Sequence, residues 1–591
     1  MQTANVFEVS WEVCNKVGGI YTVVKSKAKN MVNRYGENYF LIGPYFPQKA
    51  LGEFEEKMPS ERLKKVFDKL KPEGIVCHYG RWLVEGEPHV ILIDFAGFTK
   101  NANRIKGEFW EKYGIDSLNT KYYDYDEPLT WAYAAGKVIE AFASKPTVAH
   151  FHEWLSGGGL LYLKYVNAEA ATVFTTHATM IGRSLASADV DIYSKLKEIN
   201  ADEEARRIGI QAKHLTEKSC AANADVFTTV SEITGIESEA FLGRKPDVIL
   251  PNGLDIESFP TFEDAAIKHR LLRRKIKDFV MGYFFPYYSF DIEKTFIYFI
   301  AGRYEFRDKG IDLYIKALEK LNRMLKEEKS SYTIVAFIWV PANIRGIKPD
   351  LLGSKTVFAD IQEDLNDEKD EIVSRLIYAM AAKKGVNAEK LLGKSFATEI
   401  KKKVMAFRTK GVPPISTHDI YNEEQDSIIN AVKSAGLLNR QEDKVKVIFY
   451  PIYLTSADKL LNLSYYESMQ GSHLGVFPSY YEPWGYTPLE AAALAVASVT
   501  TDLAGFGRYV EEMTAKKQKT PGIFVVKRFQ RKDEEVVDEL AKIMLDFSHF
   551  SKEDRIKNKI DAKRLASKAD WRIFIENYID AHNKAIKKRW G

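Results

Sequence analysis

Cysteine is nearly absent from this chain: three in 591 residues (Cys14, Cys77 and Cys220), too far apart for any C-x-x-C pair. That excludes a disulfide framework and a zinc site of the usual spacing, and leaves buried thiols suited to a reducing, cytoplasmic setting. Net charge is nearly absent too. Eighty-five basic against 81 acidic side chains leave +4, which removes any composition-level case for binding nucleic acid or an anionic membrane. No uncharged apolar run reaches about 18 residues, so no transmembrane helix is expected. The first 30 residues carry Glu8 and Glu12 where a signal peptide would be apolar. What the chain does have is 45% hydrophobic and 13% aromatic residues, enough for large cores rather than disorder. At roughly 100–200 residues per domain, two to four domains are expected.

Short β-rich apolar runs alternate with helical patterns. Predicted strands are 5–9, 39–42, 89–94, 147–151, 172–176, 225–230 and 247–250, then 295–301, 332–339, 446–451, 473–478, 498–501 and 523–526. Many are continuously apolar, as strands buried on both faces should be. Strand–helix–strand order then gives an α/β class with doubly wound parallel sheets. Two series predict two Rossmann-like domains, 1–258 and 259–571, with the seam near Asn252–Pro260, where a strand ends in the loop Leu250-Pro251-Asn252-Gly253. Between about 342 and 442 charge becomes dense, helical spacing dominates and no strand is expected. This reads as an insertion in the second domain, either a solvated helical hairpin or a subunit-contact element.

Several motifs sit where doubly wound folds place ligands, at the carboxyl ends of strands. After the first strand, Lys16 and the pair Gly18-Gly19 open a helical pattern that runs to Tyr35 and stops at Gly36. A glycine pair there serves either a tight turn or the approach of backbone N–H groups to an anion. His152-Glu153-Trp154 and the stretch from Thr176 through His177 to Arg183 follow two neighbouring strands, and His177 is either a bonded structural histidine or a ligand. Arg303 and Lys309 share one loop, as solvated cations or as a clamp on a diphosphate. In Ser479–Glu490, Pro483, Gly485 and Pro488 forbid a helix through Glu482. Thr487, Pro488 and Glu490 fit N-cap, N1 and N3 of a capping box, which would make Glu490 structural. The backbone of Gly485, Tyr486 and Thr487 lies at that helix start, where phosphate oxygens are favoured.

Together FEVSWEVCNKVGGIYTVVKSKA, FHEWLSG, TTHATMIGR, TVSEIT, PNGL, AGRYEFRDKG, GSHLGVFPSYYEPWGYTPLEAAAL and VTTDLAGFG, in this order over nearly the whole chain, resemble the glycogen synthases of animals and fungi. The resemblance implies a GT-B fold: two Rossmann-like domains facing a cleft, with a last helix at 572–591 returning to the first domain. It implies retaining transfer of glucose from UDP-glucose to glycogen or a similar α-1,4-glucan, with no cofactor and no metal. Carried over by motif, Glu482 and Glu490 are the acids of an E-x7-E pattern, at the sugar and the ribose. Arg303 and Lys309 sit on the donor phosphates, and Lys16 with Gly18-Gly19 lies under the diphosphate. His177 is at the sugar with Arg183 beside it, and Tyr465 stacks on uracil. His152, Glu153, Trp154 and Asn252 fall on the sugar and acceptor side.

A sugar-phosphate effector would fall near His269, Arg273, His473, Lys563 and Arg564. There 557–564 carries lysines where the family has an arginine-rich helix, so a weaker response is expected. No long tails flank the motifs, so control by tail phosphorylation is not expected. The family resemblance favours a homotetramer. Alternatives are a related glucosyltransferase with another donor such as ADP-glucose, and a catalytically silent glucan-binding scaffold.

Overall fold

In the computed structural model the described residues are 4–143, 146–514 and 518–591. The first half supplies strands β1 (Asn5–Val9), β2 (Tyr39–Pro44), β3 (Phe54–Glu56), β4 (Val76–Trp82), β5 (His89–Asp94), β6 (Thr147–His152), β7 (Ala171–Thr176), β8 (Val226–Thr229) and β9 (Val248–Ile249). They form a nine-stranded sheet in the order β3-β4-β5-β2-β1-β6-β7-β8-β9. From β5 to β9 all pairings are parallel, while β3 and β4 join antiparallel at one edge. The central strands β6 and β7 are buried at every position, so their polar members, such as His150, His152 and Thr175, are enclosed with the apolar ones.

The second half supplies β10 (Thr295–Ala301), β11 (Thr333–Trp339), β12 (Ile344–Ile347), β13 (His418–Ile420), β14 (Val445–Tyr450), β15 (Leu474–Val476), β16 (Ala497–Thr501) and β17 (Ile523–Val526). Six of these form an all-parallel sheet in the order β14-β11-β10-β15-β16-β17. Each predicted strand has its counterpart. The β3–β4 edge was not anticipated: β3 has three residues, two of them exposed glutamates, and β4 is mostly half-buried, with His78, Gly80 and Arg81 breaking its apolar run. The stretch 342–442 also differs from expectation. It holds the helices Pro349–Asp367, Lys369–Ala381, Ala388–Leu392 and Lys394–Phe407, but β12 and β13 bracket them as a two-stranded antiparallel sheet. Those strands have four and three residues, too short to leave a periodic signal. Among the described residues no helix is long and apolar enough to cross a membrane.

The two lobes are stitched at both ends of the cleft. The helix Trp571–Trp590 leaves the second lobe and packs on the first. There Trp571 Nε1 donates to Ser26 Oγ (2.7 Å) and Asn577 donates to the Ile249 carbonyl (3.0 Å). His582 meets Tyr35 Oη (2.9 Å) and His150 Nδ1 (3.1 Å) inside the first lobe. At the other end the Tyr480 hydroxyl of the second lobe donates to Asp191 Oδ1 (2.8 Å) and accepts from the Ile192 amide (2.7 Å).

Candidate active site

Lys309 and Glu482 meet at the mouth of the second sheet. Lys309 Nζ lies 2.6 Å from Glu482 Oε2, both side chains being mostly covered. Their loops are locked together by backbone. The Tyr480 and Tyr481 amides donate to the Asp308 carbonyl (2.8 and 3.2 Å). Gly310 has φ +70°, and a Cβ there would stand 2.0 Å from the Pro478 carbonyl oxygen, so only glycine fits. The pair lines a narrow recess with Ala301, Phe477, Thr487 and Pro488. Arg303 does not join it: its side chain is 75% exposed and paired with Glu305 (2.9 Å).

The helix after Glu482 starts two residues earlier than the spacing predicted. It runs Tyr486–Ala493 from Gly485, whose φ is +108°, and no side chain caps it. The capping-box reading of Thr487 and Glu490 is therefore corrected: with Gly485 turning the chain, Glu490 is free of the N-terminus. Its carboxylate instead accepts from Tyr466 Oη (3.0 Å) and Tyr465 Oη (3.3 Å), and burial raises its pKa. Tyr465 stands half-buried beside it, and the Tyr486 hydroxyl is buried with no partner.

On the first lobe a chain of buried groups ends at His177. Lys27 and Tyr39 bond the Glu8 carboxylate; Glu8 Oε1 meets His152 Nε2 at 2.6 Å; His152 Nδ1 meets His177 Nε2 at 2.9 Å. Burial opposes the charge on Glu8, but Lys27 and the His152 bond outweigh it and hold its pKa well below the usual range. Burial, with His152 and Lys27 beside it, keeps His177 neutral. The carboxylate assigns the tautomers: His152 donates from Nε2, so its Nδ1 accepts and His177 donates from Nε2. The Nδ1 of His177 is left as an acceptor.

Glu153 and Trp154 face inward. Glu153, at φ +63°, turns its carboxylate onto the His177 and Ala178 amides (2.8 and 3.2 Å). The Trp154 ring stacks on Tyr125 with centroids 5.8 Å apart. The expectation that these two side chains face an acceptor is corrected, because packing in the first lobe already uses both. Asn252 is buried in the turn between lobes, its Oδ1 unpartnered, next to Gly253 packed on the Trp571 ring.

The glycine loop is also occupied from within. The Gly18 and Tyr21 amides both donate to Glu12 Oε2 (2.8 Å each), at the start of the helix Gly19–Tyr35. Lys16 is exposed on the same loop, and Arg183 is exposed on the helix Met180–Ser187.

A separate cavity of about 780 Å³ opens between the helices Phe262–Phe284 and Lys552–Ala566. His269, Arg273 and His473 line it, with Lys552, Arg555 and Lys559 opposite. Lys563 and Arg564 lie outside: Lys563 Nζ is drawn onto the Pro260 and Ala493 carbonyls (2.6 and 2.9 Å), and Arg564 pairs with Asp561 (3.0 Å). That part of the effector expectation is corrected by one helical turn toward the N-terminus. Burial, Arg273 and Arg555 pull the Lys559 pKa down to about 7. His269 Nδ1 is buried and unpartnered.

The sequence profile described as "Glycogen synthase" matches residues 8–591. The chain belongs to the glycogen synthase family. Liver glycogen [starch] synthase of Rattus norvegicus is 37% identical over 587 residues, covering 99% of this chain and 83% of that one. Isoform 1 from Saccharomyces cerevisiae is 37% identical over 614 residues, covering 100% and 87%. Among solved structures, the catalytic domain of starch synthase IV from Arabidopsis thaliana, bound to ADP and acarbose, superposes with a TM-score of 0.53 at 14% identity, covering 99% of this chain and 100% of that one. At that identity the likeness bears on the fold, which is the two-lobed GT-B glycosyltransferase fold.

In this glycogen synthase family member, four buried carboxylates that brace the first-lobe loops lie outside the expected site residues. Glu8 lies inside the first quoted motif, on a predicted strand, and nothing local marks it as the partner of His152. Glu12 was visible as an acid six residues before the glycine pair. Glu217 and Glu237 sit on helices with no distinguishing pattern, and only the fold brings them to the Thr176–Arg183 loop.

Proposed function

We propose that this protein is a retaining glucosyltransferase that lengthens an α-1,4-glucan, adding glucose from UDP-glucose to the 4-OH at the non-reducing end. The observation that carries this reading is the Lys309–Glu482 pair at a strand end of the second lobe, within a chain alike over its whole length to animal and fungal family members. The donor nucleotide would lie along the second lobe, with its ribose at Glu490 and uracil at Tyr465. Lys309, joined by Arg303 swinging in from solvent, neutralises the diphosphate as its charge grows. The His177 Nδ1 acceptor would take a hydrogen bond from a sugar hydroxyl, and Glu482 would stabilise the developing sugar cation. A double displacement needs two carboxyls about 5–5.5 Å apart with matched roles. Glu490, held by two tyrosines, has a different task, so the leaving phosphate oxygen takes the acceptor proton on the same face. Three free thiols fit a cytoplasmic setting.

Initial rates of nucleotide release with UDP-, ADP- and GDP-glucose, with glycogen as acceptor, test the reading. Release of UDP alone supports it. Preference for ADP-glucose, or glucan binding without release, replaces it with one of the two alternatives.

Two further observations favour regulation and assembly. The cationic cavity, with the orphan His269 Nδ1 and the Lys559 ammonium, suits a sugar phosphate: charge for the phosphate, imidazole for a hydroxyl. The helix Lys369–Ala381 buries none of its residues and exposes Val373, Leu376, Ile377, Tyr378 and Met380. An apolar patch of this kind suits contact between copies of the chain, in keeping with a homotetramer.

A further inference from the structure

Three buried carboxylates grip the loop Thr176–Arg183, each from a different helix of the first lobe. Glu153 takes the His177 and Ala178 amides; Glu217 takes the Met180 amide (2.9 Å) and the Thr176 hydroxyl (3.3 Å). The third, Glu237, is 1% exposed on the helix Glu232–Leu242 and is bonded by the Thr179 backbone of this loop. It also gathers three hydroxyls. Thr179 Oγ1 donates to Oε1, Tyr193 Oη donates to Oε2 (3.3 Å), and Tyr481 Oη donates to Oε1 (2.9 Å).

Tyr481 belongs to the other lobe and immediately precedes Glu482. Thr179 lies two residues after His177, and its hydroxyl also receives the Gly182 amide (3.0 Å) as the cap of the helix Met180–Ser187. One carboxylate oxygen thus touches the segment bearing His177 and the segment bearing Glu482. The fit is specific: a Cβ on Gly182 would stand 2.0 Å from Glu237 Oε1. Three converging O–H groups favour an acceptor with several lone pairs, which a carboxylate offers; burial pushes the Glu237 pKa up to about 7, and these hydroxyls act against that rise. Burial costs such a group its hydration, so it is retained only where its bonds are made.

We propose that Glu237 is a positioning residue that ties the sugar-side loop of the first lobe to the Glu482 loop of the second. It sets the spacing between His177 and Glu482 without touching substrate. The proposal rests on the glucosyltransferase reading for its catalytic consequence, but the coupling itself can be read without turnover.

The experiment compares Tyr481→Phe, Glu237→Gln and the double variant by hydrogen exchange and by initial rates with UDP-glucose and glycogen. Tyr481→Phe removes one hydroxyl from the second lobe. It should speed exchange of amides 178–183 in the first lobe about tenfold, the scale of one buried hydrogen bond to a charged group. It should lower kcat about tenfold with donor KM within about twofold, and the double variant should lose no more than the worse single. Unchanged exchange in 178–183, or losses that multiply in the double variant, overturn the proposal. If Glu237→Gln fails to fold, Tyr481→Phe alone decides. A wild-type protein that releases no UDP overturns the glucosyltransferase reading instead, while the exchange result still reports on the coupling.

Discussion

Lys309 Nζ stands 2.6 Å from Glu482 Oε2, so the cation proposed for the departing diphosphate is held in readiness by the acid proposed for the sugar. The pairing keeps a flexible ammonium inside the recess and neutralises a carboxylate that would otherwise face a nucleotide of like charge. Both partners keep some solvent contact, so the pair itself adds at most about 1 kcal/mol to stability. Its value lies in placement.

Lys309→Ala should therefore cut kcat about 10²–10³-fold, the range for one electrostatic group acting on developing charge. The melting temperature should move little. Turnover near the wild-type rate in the purified variant would refute the assignment.

Glu490→Gln separates donor binding from fold. The carboxylate is held by the Tyr465 and Tyr466 hydroxyls and caps no helix. The variant should raise the UDP-glucose KM about tenfold, as for loss of a charged hydrogen bond of about 1.5 kcal/mol, with kcat nearly unchanged. A fall in kcat at unchanged KM would move Glu490 out of the ribose site.

The cationic cavity should bind glucose 6-phosphate more weakly as pH rises. Lys559, with its pKa drawn down to about 7, is charged below that value and neutral above it, and an anion prefers the charged form. Calorimetric titration from pH 6 to 8.5 should show affinity falling about tenfold. Lys559→Ala should flatten that slope, and a slope that survives the substitution assigns it to another group.

Ile377→Glu with Met380→Glu should disperse an oligomer built on the exposed face of the helix Lys369–Ala381, since a desolvated charge is costly at an apolar contact. Sedimentation velocity should show a smaller species with unchanged secondary structure. A wild-type chain that already sediments as a monomer removes this surface from the account.

What could be read in advance followed burial. Strands such as Thr295–Ala301 and Thr333–Trp339 are covered on both faces, so their sequences are apolar without interruption and legible without a fold. The pair β12–β13 and the partly exposed antiparallel edge β3–β4 lack that signature. Site residues divided the same way. Lys309 and Glu482 stand in glycine- and proline-punctuated loops that leave a local mark. Glu153 was visible but its aim was not, because the sign of one φ angle turned its carboxylate from the cleft to the neighbouring loop. Glu237 acts across the cleft from an unremarkable helix, and nothing local distinguishes it. Lys563 and Lys559 differ by a single turn, and only the backbone carbonyls that capture Lys563 decide which of the two lines the cavity.

The helix Trp571–Trp590 carries a consequence for biosynthesis. Tyr35 and His582 are bonded partners 547 positions apart, and at about 5–20 residues per second a ribosome needs roughly half a minute to two minutes to connect them. Until His582 has been made, Tyr35, His150 and the Ile249 carbonyl lack the partners that this helix supplies. The amino-terminal lobe therefore gains its lid only after the second lobe has been synthesised.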